Sequence, residues 1–483
     1  MSVNGDDLEP RTSSAVRAVL QLEDEAPDSL LEILPGATVP LWAQVRVQFI
    51  RALSAQQTGS VEVTSESTWT RWGEAKRVAR GYLPSRWDAV RHAVPRDVCF
   101  YVPGVTLAAE NGRARNWLVD DFAAATEDAV VVQTRPLPSP LGPPAFGSTL
   151  SMESSIARAR WRARGTPLAP GVAASVTSLI ADYAHRLGLS KDIFVALGQN
   201  VVRNERQRPF QLAEVQRMLD RMQPKIVVFD NGSYTYLGEW VGIMKDAGAY
   251  VAEPQHGWIG PSHAAYNFGR AFESPALRRA LPDEVLTFGT YWSDSIRHPG
   301  RVTAIGKPHM ERQAAAAPEA RGNRILVVSS RADPEGTDAF VVDLRAALGE
   351  EWSIAFRPHP GERSETANRY PRLLADPRIE VDTEPDVYES LKRSSVVVGV
   401  ASTVLFEADA FGCQVIARDS AFADTVIGDA FGERVGTASE AADRLTAGRS
   451  DARGATDPAI WAPGAVDAYR RWLAERLQER GSR

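Results

Sequence analysis

The chain has 483 residues, 44% of them hydrophobic and 24% charged, and its 55 basic against 61 acidic side chains leave a formal net charge of −6. This balance is typical of a soluble globular protein and excludes fibrous and largely disordered classes. The negative net charge does not favour nucleic acid as a partner. Because one hydrophobic core seldom serves more than about 250–300 residues, the length predicts two domains.

The chain's two cysteines are too few for a disulfide or zinc framework. Cys99 and Cys413 each lie in an apolar run, which predicts buried core residues. The N-terminal sequence MSVNGDDLEP has no signal-peptide pattern, and no apolar run approaches the roughly 20 residues that span a bilayer. We therefore expect a cytoplasmic protein whose first twenty or so residues are disordered or loosely attached.

The first part of the chain predicts short strands separated by helices and loops. Residues 40–53 predict a strand-and-helix unit, and residues 54–90 fit either a helical excursion or a flexible loop. Apolar runs predict strands at 98–102 and 130–132. A stretch rich in Pro, Gly and Ser at 134–150 predicts a loop.

A basic patch follows this loop, with arginines at 158, 160, 162 and 164. One interpretation is a solvated helix face. The other is a surface that binds an anionic acceptor or lipid headgroups, which would allow peripheral association with the inner face of the cell membrane.

Apolar runs and amphipathic segments alternate from residue 212 onward. Strands are predicted at 225–229, 250–252, 285–289, 302–306, 325–328, 353–356, 395–400 and 414–417, and helices at 212–222, 236–247, 339–348, 387–392, 405–411 and 466–480. This alternation is typical of parallel sheets covered by helices on both faces. We predict an α/β protein with two Rossmann-like, doubly wound domains that face a central cleft. The boundaries are placed at 1–305 and 306–455, with a final helix in 456–483 expected to pack back on the first domain.

Polar residues come immediately after five of the apolar strands. They are Asp230, His256, Ser329 (with Ser330), His359 and Ser402. In parallel sheets these positions lie at the carboxyl edge, where ligands bind.

The segment Arg357-Pro358-His359-Pro360 holds an imidazole between two prolines, which stiffen the backbone. A fixed imidazole can donate to a phosphate oxygen and stabilise a leaving group. Arg357 would add a forked cationic donor or serve a structural ion pair. The alternative for His359 is a loop histidine with structural bonds only.

Ser402 and Thr403 stand between a predicted strand and a predicted helix. The hydroxyl groups would cap the helix, and its free N–H groups would bind phosphate as well. Glu407, one turn further, would either accept hydrogen bonds from ribose hydroxyls or only complement the helix dipole.

Asp230 ends an apolar strand and precedes Asn231-Gly232-Ser233. Its carboxylate could act as a general base on an acceptor hydroxyl, although Asp-Asn-Gly is also an ordinary turn sequence. His256, in Gln255-His256-Gly257, is a second candidate base or a polar anchor, and a satisfied core histidine is the alternative reading.

Several motifs are absent from the sequence. It has no phosphate loop of the G-x-x-x-x-G-K-[ST] type, no G-x-G-x-x-G fingerprint and no G-x-S-x-G elbow. Carboxylates and histidines are not spaced as metal ligands, so no metal site and no separate cofactor is predicted.

Taken as a set, segments in 225–417 resemble bacterial GT-B glycosyltransferases of surface and capsular polysaccharide synthesis. The matching segments are EPQHGWIGPSHAAYN at 253–267, FGTYW at 288–292, IGKPH at 305–309, RPHP at 357–360 and ASTVLFEADAFG at 401–412. The resemblance implies a GT-B fold, an acceptor site in the first domain and a nucleotide-sugar site in the second.

Within this group, bacterial sialyltransferases have an acidic-acidic-glycine motif, a His-Pro motif and paired hydroxyls. Residues 230–233, His359-Pro360 and Ser402-Thr403 look similar to these motifs, with Asn231 where an acidic residue is usual. The resemblance implies that Asp230 is the base and that the other two motifs hold the donor phosphate. Wall-polymer glycerophosphotransferases also look similar around the HG, RPHP and Ser-Thr elements, and UDP-sugar 2-epimerases in overall plan.

The sequence therefore predicts a metal-independent inverting glycosyltransferase that moves a sugar from a nucleotide-sugar donor, such as a CMP-activated one, to a hydroxyl of a glycan or lipid-linked acceptor. Asp230 or His256 would be the base, and His359, Ser402, Thr403, Lys307 and Arg357 would face the leaving group. The alternatives are a CDP-glycerol-type phosphotransferase, a UDP-sugar 2-epimerase, and a non-catalytic scaffold of polysaccharide assembly.

Overall fold

The computed structural model describes residues 13–58, 79, 82–83, 85–318, 321–331, 333–447 and 457–481. It divides into two compact units. The seven-stranded unit holds the described residues of Thr12–Thr287, Ser295–Ala304 and Val466–Arg483, and the five-stranded unit holds those of Phe288–Asp294 and Ile305–Ala465. Most of the segment 54–90, for which a helix and a loop were both considered, lies outside the described residues.

The seven-stranded unit is built on a parallel sheet with the strand order β5-β4-β1-β6-β7-β8-β9. Its strands are β1 Val98–Val102, β2 Leu107–Glu110, β3 Arg113–Asn116, β4 Ala129–Gln133, β5 Thr149–Ser151, β6 Ile226–Phe229, β7 Tyr250–Pro254, β8 Glu284–Thr287 and β9 Arg301–Ala304, of which β2 and β3 form a separate antiparallel hairpin. Its helices are α1 Ser14–Glu25, α2 Leu41–Thr58, α3 Ala89–His92, α4 Asp120–Ala124, α5 Glu153–Ala163, α6 Val172–Arg186, α7 Lys191–Met222, α8 Gly238–Asp246 and α9 Pro275–Arg278. The central strands β1, β4 and β6 are buried along their whole length, as expected for a sheet covered on both faces.

The five-stranded unit has a parallel sheet with the order β12-β11-β10-β13-β14. Its strands are β10 Arg324–Val328, β11 Ser353–Arg357, β12 Ile379–Val381, β13 Val396–Gly399 and β14 Gln414–Ala417. Its helices are α10 Thr290–Ser293, α11 Pro308–Ala315, α12 Pro334–Ala347, α13 Thr366–Arg369, α14 Pro371–Ala375, α15 Val387–Arg393, α16 Thr403–Ala410, α17 Ala421–Val426 and α18 Ala438–Thr446. The prediction of two Rossmann-like units, the components of a GT-B fold, is confirmed.

The last helix, α19 Ala465–Gly481, contributes to the seven-stranded unit from Val466 onward. Trp472 Nε1 and Arg476 Nε each donate to Glu284 at the start of β8, both at 2.9 Å. The Tyr469 hydroxyl lies 2.8 Å from that of Thr126. These contacts fix the helix on this unit.

The N-terminal segment differs from its prediction. Residues 14–20, which were expected to be disordered or loosely attached, begin α1, and the Ser13 side chain caps this helix by accepting from the Val16 N–H. The rest of that expectation falls on residues 1–12, which lie outside the described residues. Val16, Val19 and Leu22 are buried in a core shared with α2 and α6. For the described residues the expectation was wrong because Ala15, Val16 and Val19 form the buried face of an amphipathic helix.

The segment 40–53 also differs, because it is part of the single helix α2 and contains no strand. Both cysteines are buried, as predicted. Among the described residues, no helix combines the length and the apolar character needed to cross a bilayer.

Candidate functional site

Asp230 follows directly on β6, and its side chain is buried at the carboxyl end of that strand. Its backbone N–H donates to the carbonyl of Tyr101 on β1, at 3.0 Å. The chain then turns through Asn231, which has a left-handed backbone conformation with φ of 65°. Asparagine accepts this conformation more readily than most residues. The turn holds the Asp230 carboxyl group at the carboxyl edge of the sheet.

His256 lies just beyond the end of β7, the strand that pairs with β6. Its Nδ1 atom is 3.6 Å from Oδ1 of Asp230, and its side chain is 24% exposed. This separation is longer than a hydrogen bond, and the two groups attract each other as an ion pair only when the imidazole is protonated and the carboxyl group is ionised. The structure thus brings together the two candidate bases that the sequence offered from separate strands.

A buried glutamate, Glu253 of β7, organises the same turn. One carboxylate oxygen accepts from the Ser233 backbone N–H at 2.7 Å and from the Ser233 hydroxyl. The other accepts from the Tyr266 hydroxyl at 2.7 Å. The Ser233 hydroxyl also lies 3.1 Å from Nε2 of His298. Sequence reasoning gave Glu253 no role of its own, although a glutamate inside an otherwise apolar strand was the available signal.

Burial raises the pKa of Asp230 to about 8, and the nearby charge of Glu253 raises it further. Hydrogen bonding by Asn231 acts in the opposite direction and lowers this pKa. Burial also raises the pKa of Glu253 to about 7, against the hydrogen bonds from Ser233 and Tyr266. Neither carboxylate oxygen of Asp230 has a hydrogen-bond partner of standard geometry among the described residues. A buried carboxyl group with a pKa near neutrality can take up or release a proton at physiological pH.

Aromatic side chains surround this pair. The Tyr234 ring centroid lies 6.0 Å from that of His256, and its hydroxyl lies 3.3 Å from Nε2 of His263. Burial lowers the pKa of His263 to about 3, so that its ring stays neutral. Tyr236 is 48% exposed, which leaves an accessible aromatic surface next to the buried carboxyl group.

In the five-stranded unit, three predicted site residues follow neighbouring strands. Ser329 follows β10, His359 follows β11, and Ser402 follows β13. Because β10 lies between the other two strands and adjacent strands are about 4.8 Å apart, the ends of β11 and β13 are separated by roughly 10 Å. The three positions therefore share one edge of this sheet.

His359 is exposed at this edge. Its Nδ1 accepts from the Gly361 N–H at 3.1 Å, which leaves Nε2 as the donor of the neutral ring. Partial loss of contact with water, and then the neighbouring Arg331, lower the pKa of His359, against the charge of Glu362. Glu362 accepts from the His359 backbone N–H at 3.2 Å and completes a capping box. The hydrogen bond from Gly361 orients the imidazole, and its contact with a phosphate stays a prediction.

Ser402 caps α16 by accepting from the Val404 N–H at 3.2 Å, and Thr403 is the first residue of that helix. Both side chains are partly exposed. Glu407 is buried, and its carboxylate accepts from Lys307 Nζ at 2.5 Å and from the Tyr388 hydroxyl at 2.9 Å. Lys307 and Glu407 therefore form a salt bridge within the five-stranded unit. Their contacts with a donor nucleotide stay predictions.

Two other predicted residues are engaged in local networks. The Ser329 hydroxyl donates to Glu362 at 2.6 Å. Arg357 is buried and pairs with Asp382 at 2.9 Å, which is the structural ion pair considered as its alternative role. Ser330 is partly exposed next to Ser329. The ligand contacts assigned to these residues stay predictions. Among the described residues, no group of three or more His, Cys, Asp and Glu could hold a metal ion.

No protein-family model and no curated protein matches the chain. Among solved structures, it is similar to the UDP-GlcNAc 2-epimerase of Methanocaldococcus jannaschii, with a TM-score of 0.46 and 10% identity over 78% of this chain and 99% of that one. It is similar to a putative UDP-N-acetylglucosamine 2-epimerase from Listeria monocytogenes, with a TM-score of 0.46 and 12% identity over 80% and 98%. It is also similar to a variant of the wall teichoic acid polymerase TagF, with a TM-score of 0.45 and 11% identity over 91% and 98%. The sheet topology is the evidence for the fold. These similarities are too low to indicate a function.

Proposed function

We propose that the protein is a metal-independent inverting glycosyltransferase that uses a nucleotide-sugar donor and a hydroxyl acceptor. The observation that carries this proposal is the buried Asp230 carboxyl group beside the His256 imidazole, at the carboxyl edge of a Rossmann-like sheet. A carboxylate in such a site is a general base of suitable strength for a hydroxyl group. We assign the acceptor to the seven-stranded unit and the donor nucleotide to the five-stranded unit.

In the reaction, the Asp230 carboxylate takes the proton of the acceptor hydroxyl. The neighbouring His256 imidazole stabilises the negative charge of that carboxylate before the proton is taken. The acceptor oxygen forms a bond to the anomeric carbon of the sugar. The bond from that carbon to the phosphate oxygen breaks, and the nucleotide leaves with the electron pair. Because attack and departure are in line, the configuration at the anomeric carbon inverts.

The leaving phosphate is negatively charged and needs hydrogen-bond donors. His359 Nε2, the hydroxyls of Ser402 and Thr403, and the N–H groups at the start of α16 provide them. In this scheme these donors do the work that a metal ion does in other transferases. Activity should therefore persist in EDTA.

A nucleotide that binds the folded protein raises its melting temperature. We expect one of CMP, CDP, UDP and GDP to do so in a thermal-shift screen, and the matching nucleotide sugar to release that nucleotide when a hydroxyl acceptor is added. If none of the four binds, the proposal fails. Release of CMP from CDP-glycerol would indicate a phosphotransferase, and epimerised sugar without any acceptor would indicate a 2-epimerase. Binding without any turnover would indicate a scaffold.

Ser402→Ala separates capping from phosphate binding. Losing the cap should lower the free energy of unfolding by about 1 kcal/mol, and we expect the dissociation constant of the nucleotide to rise at least about fivefold. Thr437 caps α18 in the same unit by accepting from the Glu440 N–H at 3.2 Å, so Thr437→Ala is the matched control. It should lose similar stability and keep full nucleotide affinity. Equal affinities for the two variants would argue against a phosphate site at Ser402.

A further inference from the structure

The arginines flagged in the sequence do not form one solvated helix face. Arg158 is buried, whereas Arg160, Arg162 and Arg164 are exposed. Arg158 and Arg162 instead line a groove of about 550 Å³ in the seven-stranded unit. The lining comprises Tyr82, Val90, Arg91, Arg158, Arg162, Arg217, Asp220 and Arg221.

Two buried carboxylates beneath this arginine groove arrange its guanidinium groups. Glu214 lies 2.7 Å from Arg217, 3.4 Å from Arg162 and 3.6 Å from Arg158. Its side chain is 1% exposed.

The second carboxylate belongs to Asp88, which lies 2.9 Å from Arg158 and 3.7 Å from Arg91. Arg158 thus links the two carboxylates. Because each carboxylate contacts more than one arginine, four of the five guanidinium groups are held in place before any ligand arrives. The fifth, that of Arg221, donates to the Arg91 carbonyl at 2.9 Å.

The charges in the arginine groove do not balance. Among the described residues, five arginines line it, and the carboxylates that reach them or line the groove are Asp88, Glu214 and Asp220. The excess of two positive charges sits on partly exposed side chains, since Arg91, Arg162 and Arg217 have 41%, 46% and 45% of their side chains exposed. The chain as a whole carries a net charge of −6, so this local excess is not a property of the general surface.

The groove also lies apart from the candidate base. Arg217 and Arg221 belong to the last turns of α7, which leads directly into the amino end of β6. Asp230 follows the carboxyl end of the same strand. The two features are therefore at opposite edges of the sheet.

We propose that the arginine groove is a binding site for an anion with two or more linked phosphate groups. Planar guanidinium groups bind phosphate oxygens in pairs. The volume falls within the range of about 300–1,000 Å³ that is usual for small-molecule sites. Because the surface is concave, linked phosphates of a free anion can reach several arginines at once. A flat membrane would present its headgroups mainly to the rim.

The probe is inorganic tripolyphosphate, titrated by calorimetry at constant ionic strength. The test variant is Arg91→Gln with Arg221→Gln, in which Asp88 keeps Arg158 and no buried carboxylate loses its last partner. The matched control is Arg160→Gln with Arg164→Gln, because these arginines are exposed on α5 or directly after it and do not line the groove. Both double variants change the net charge equally.

We expect the test variant to weaken tripolyphosphate binding at least about tenfold, and the control to change it less than about twofold. A single Arg162→Gln variant, in which Glu214 keeps Arg217 and Arg158, should weaken binding in the same direction. Equal losses in test and control variants would mean general electrostatic attraction and would overturn the proposal. The proposal would also be overturned if the wild-type protein does not bind tripolyphosphate. Sedimentation with phosphatidylglycerol vesicles in place of tripolyphosphate binding would point to a membrane surface.

Discussion

Asp230→Asn is expected to lower kcat by about 10²–10⁴-fold, the contribution of a positioned general base. An amide of nearly the same shape keeps the packing at the end of β6 and cannot take the acceptor proton. In the unmodified protein the rate should rise with pH through about 8, since Asp230 must be ionised to act and its pKa is raised to that value. Steady-state rates measured between pH 5 and 9, with the substrate identified by the nucleotide screen, check both expectations.

The same substitution should stabilise the protein at high pH. Above the ordinary value of 3.8, the unfolded chain releases the Asp230 proton, whereas the folded protein retains it up to about pH 8. The folded state then binds more protons than the unfolded state, so the carboxyl group costs stability as the pH rises through this window. An asparagine has no proton to lose. Its advantage in the free energy of unfolding should be absent below about pH 4 and should grow with pH, to on the order of 5 kcal/mol at pH 8.

Asp246→Asn is the matched control, because Asp246 lies in the same unit, is more than half exposed and pairs with Arg279. It should leave kcat unchanged and should give no gain in stability between pH 4 and 8. If Asp230→Asn retains full activity, His256 or another group is the base. Loss of both activity and stability would instead indicate that the carboxyl group has a structural role.

Glu23→Ala is expected to lower the free energy of unfolding of the seven-stranded unit by about 3–5 kcal/mol, the cost of leaving one partner of a buried ion pair alone. Glu23 on α1 and Arg46 on α2 are both fully buried and lie 2.8 Å apart. Glu23 also accepts from Trp42 Nε1 at 2.9 Å and from the Gly269 N–H at 2.8 Å. Among the described residues, Arg46 would keep its hydrogen bonds to the carbonyls of Ala264 and Asn267 and its contact with the Phe268 ring, but no carboxylate.

Urea unfolding followed by tryptophan fluorescence measures this loss, because Trp42 is part of the network. Glu25→Ala, on the exposed face of the same helix, should change the free energy of unfolding by no more than about 0.5 kcal/mol. Similar small effects of both substitutions would show that α1 is not held by the buried pair.

This ion pair also explains why the N-terminal helix escaped prediction. Half of the residues of α1 are apolar, but nothing in its sequence indicates that the charged residue Glu23 is buried with them. Glu23 enters the core only because Arg46, Trp42 and the backbone of Gly269 satisfy it. Two of these partners come from a neighbouring helix and one from a position more than two hundred residues away.

The candidate site, too, could be predicted only in part from the sequence. The sequence indicated Asp230 and His256 separately, because each follows an apolar run in a pattern of parallel strands. It did not indicate that β6 and β7 are neighbours, and so it could not distinguish a base from a turn residue. The sequence also left open whether the arginines at 158–164 form a solvated helix face or an anion-binding surface. It could not indicate that Arg158 and Arg162 meet Arg91, Arg217 and Arg221, since that depends on which side chains come together when the helices pack.

The sequence by itself determined where ten of the twelve strands of the two parallel sheets lie, missing β5 and β12, and which polar residues follow them. Those features depend on the periodic burial of nearby residues, which a segment carries in its own order of apolar and polar side chains. Only the tertiary structure decided strand order, the partners of the buried charges, and the raised pKa of Asp230. These depend on contacts between residues distant in the chain, and the free energy of a buried charge is set by the groups that surround it in space.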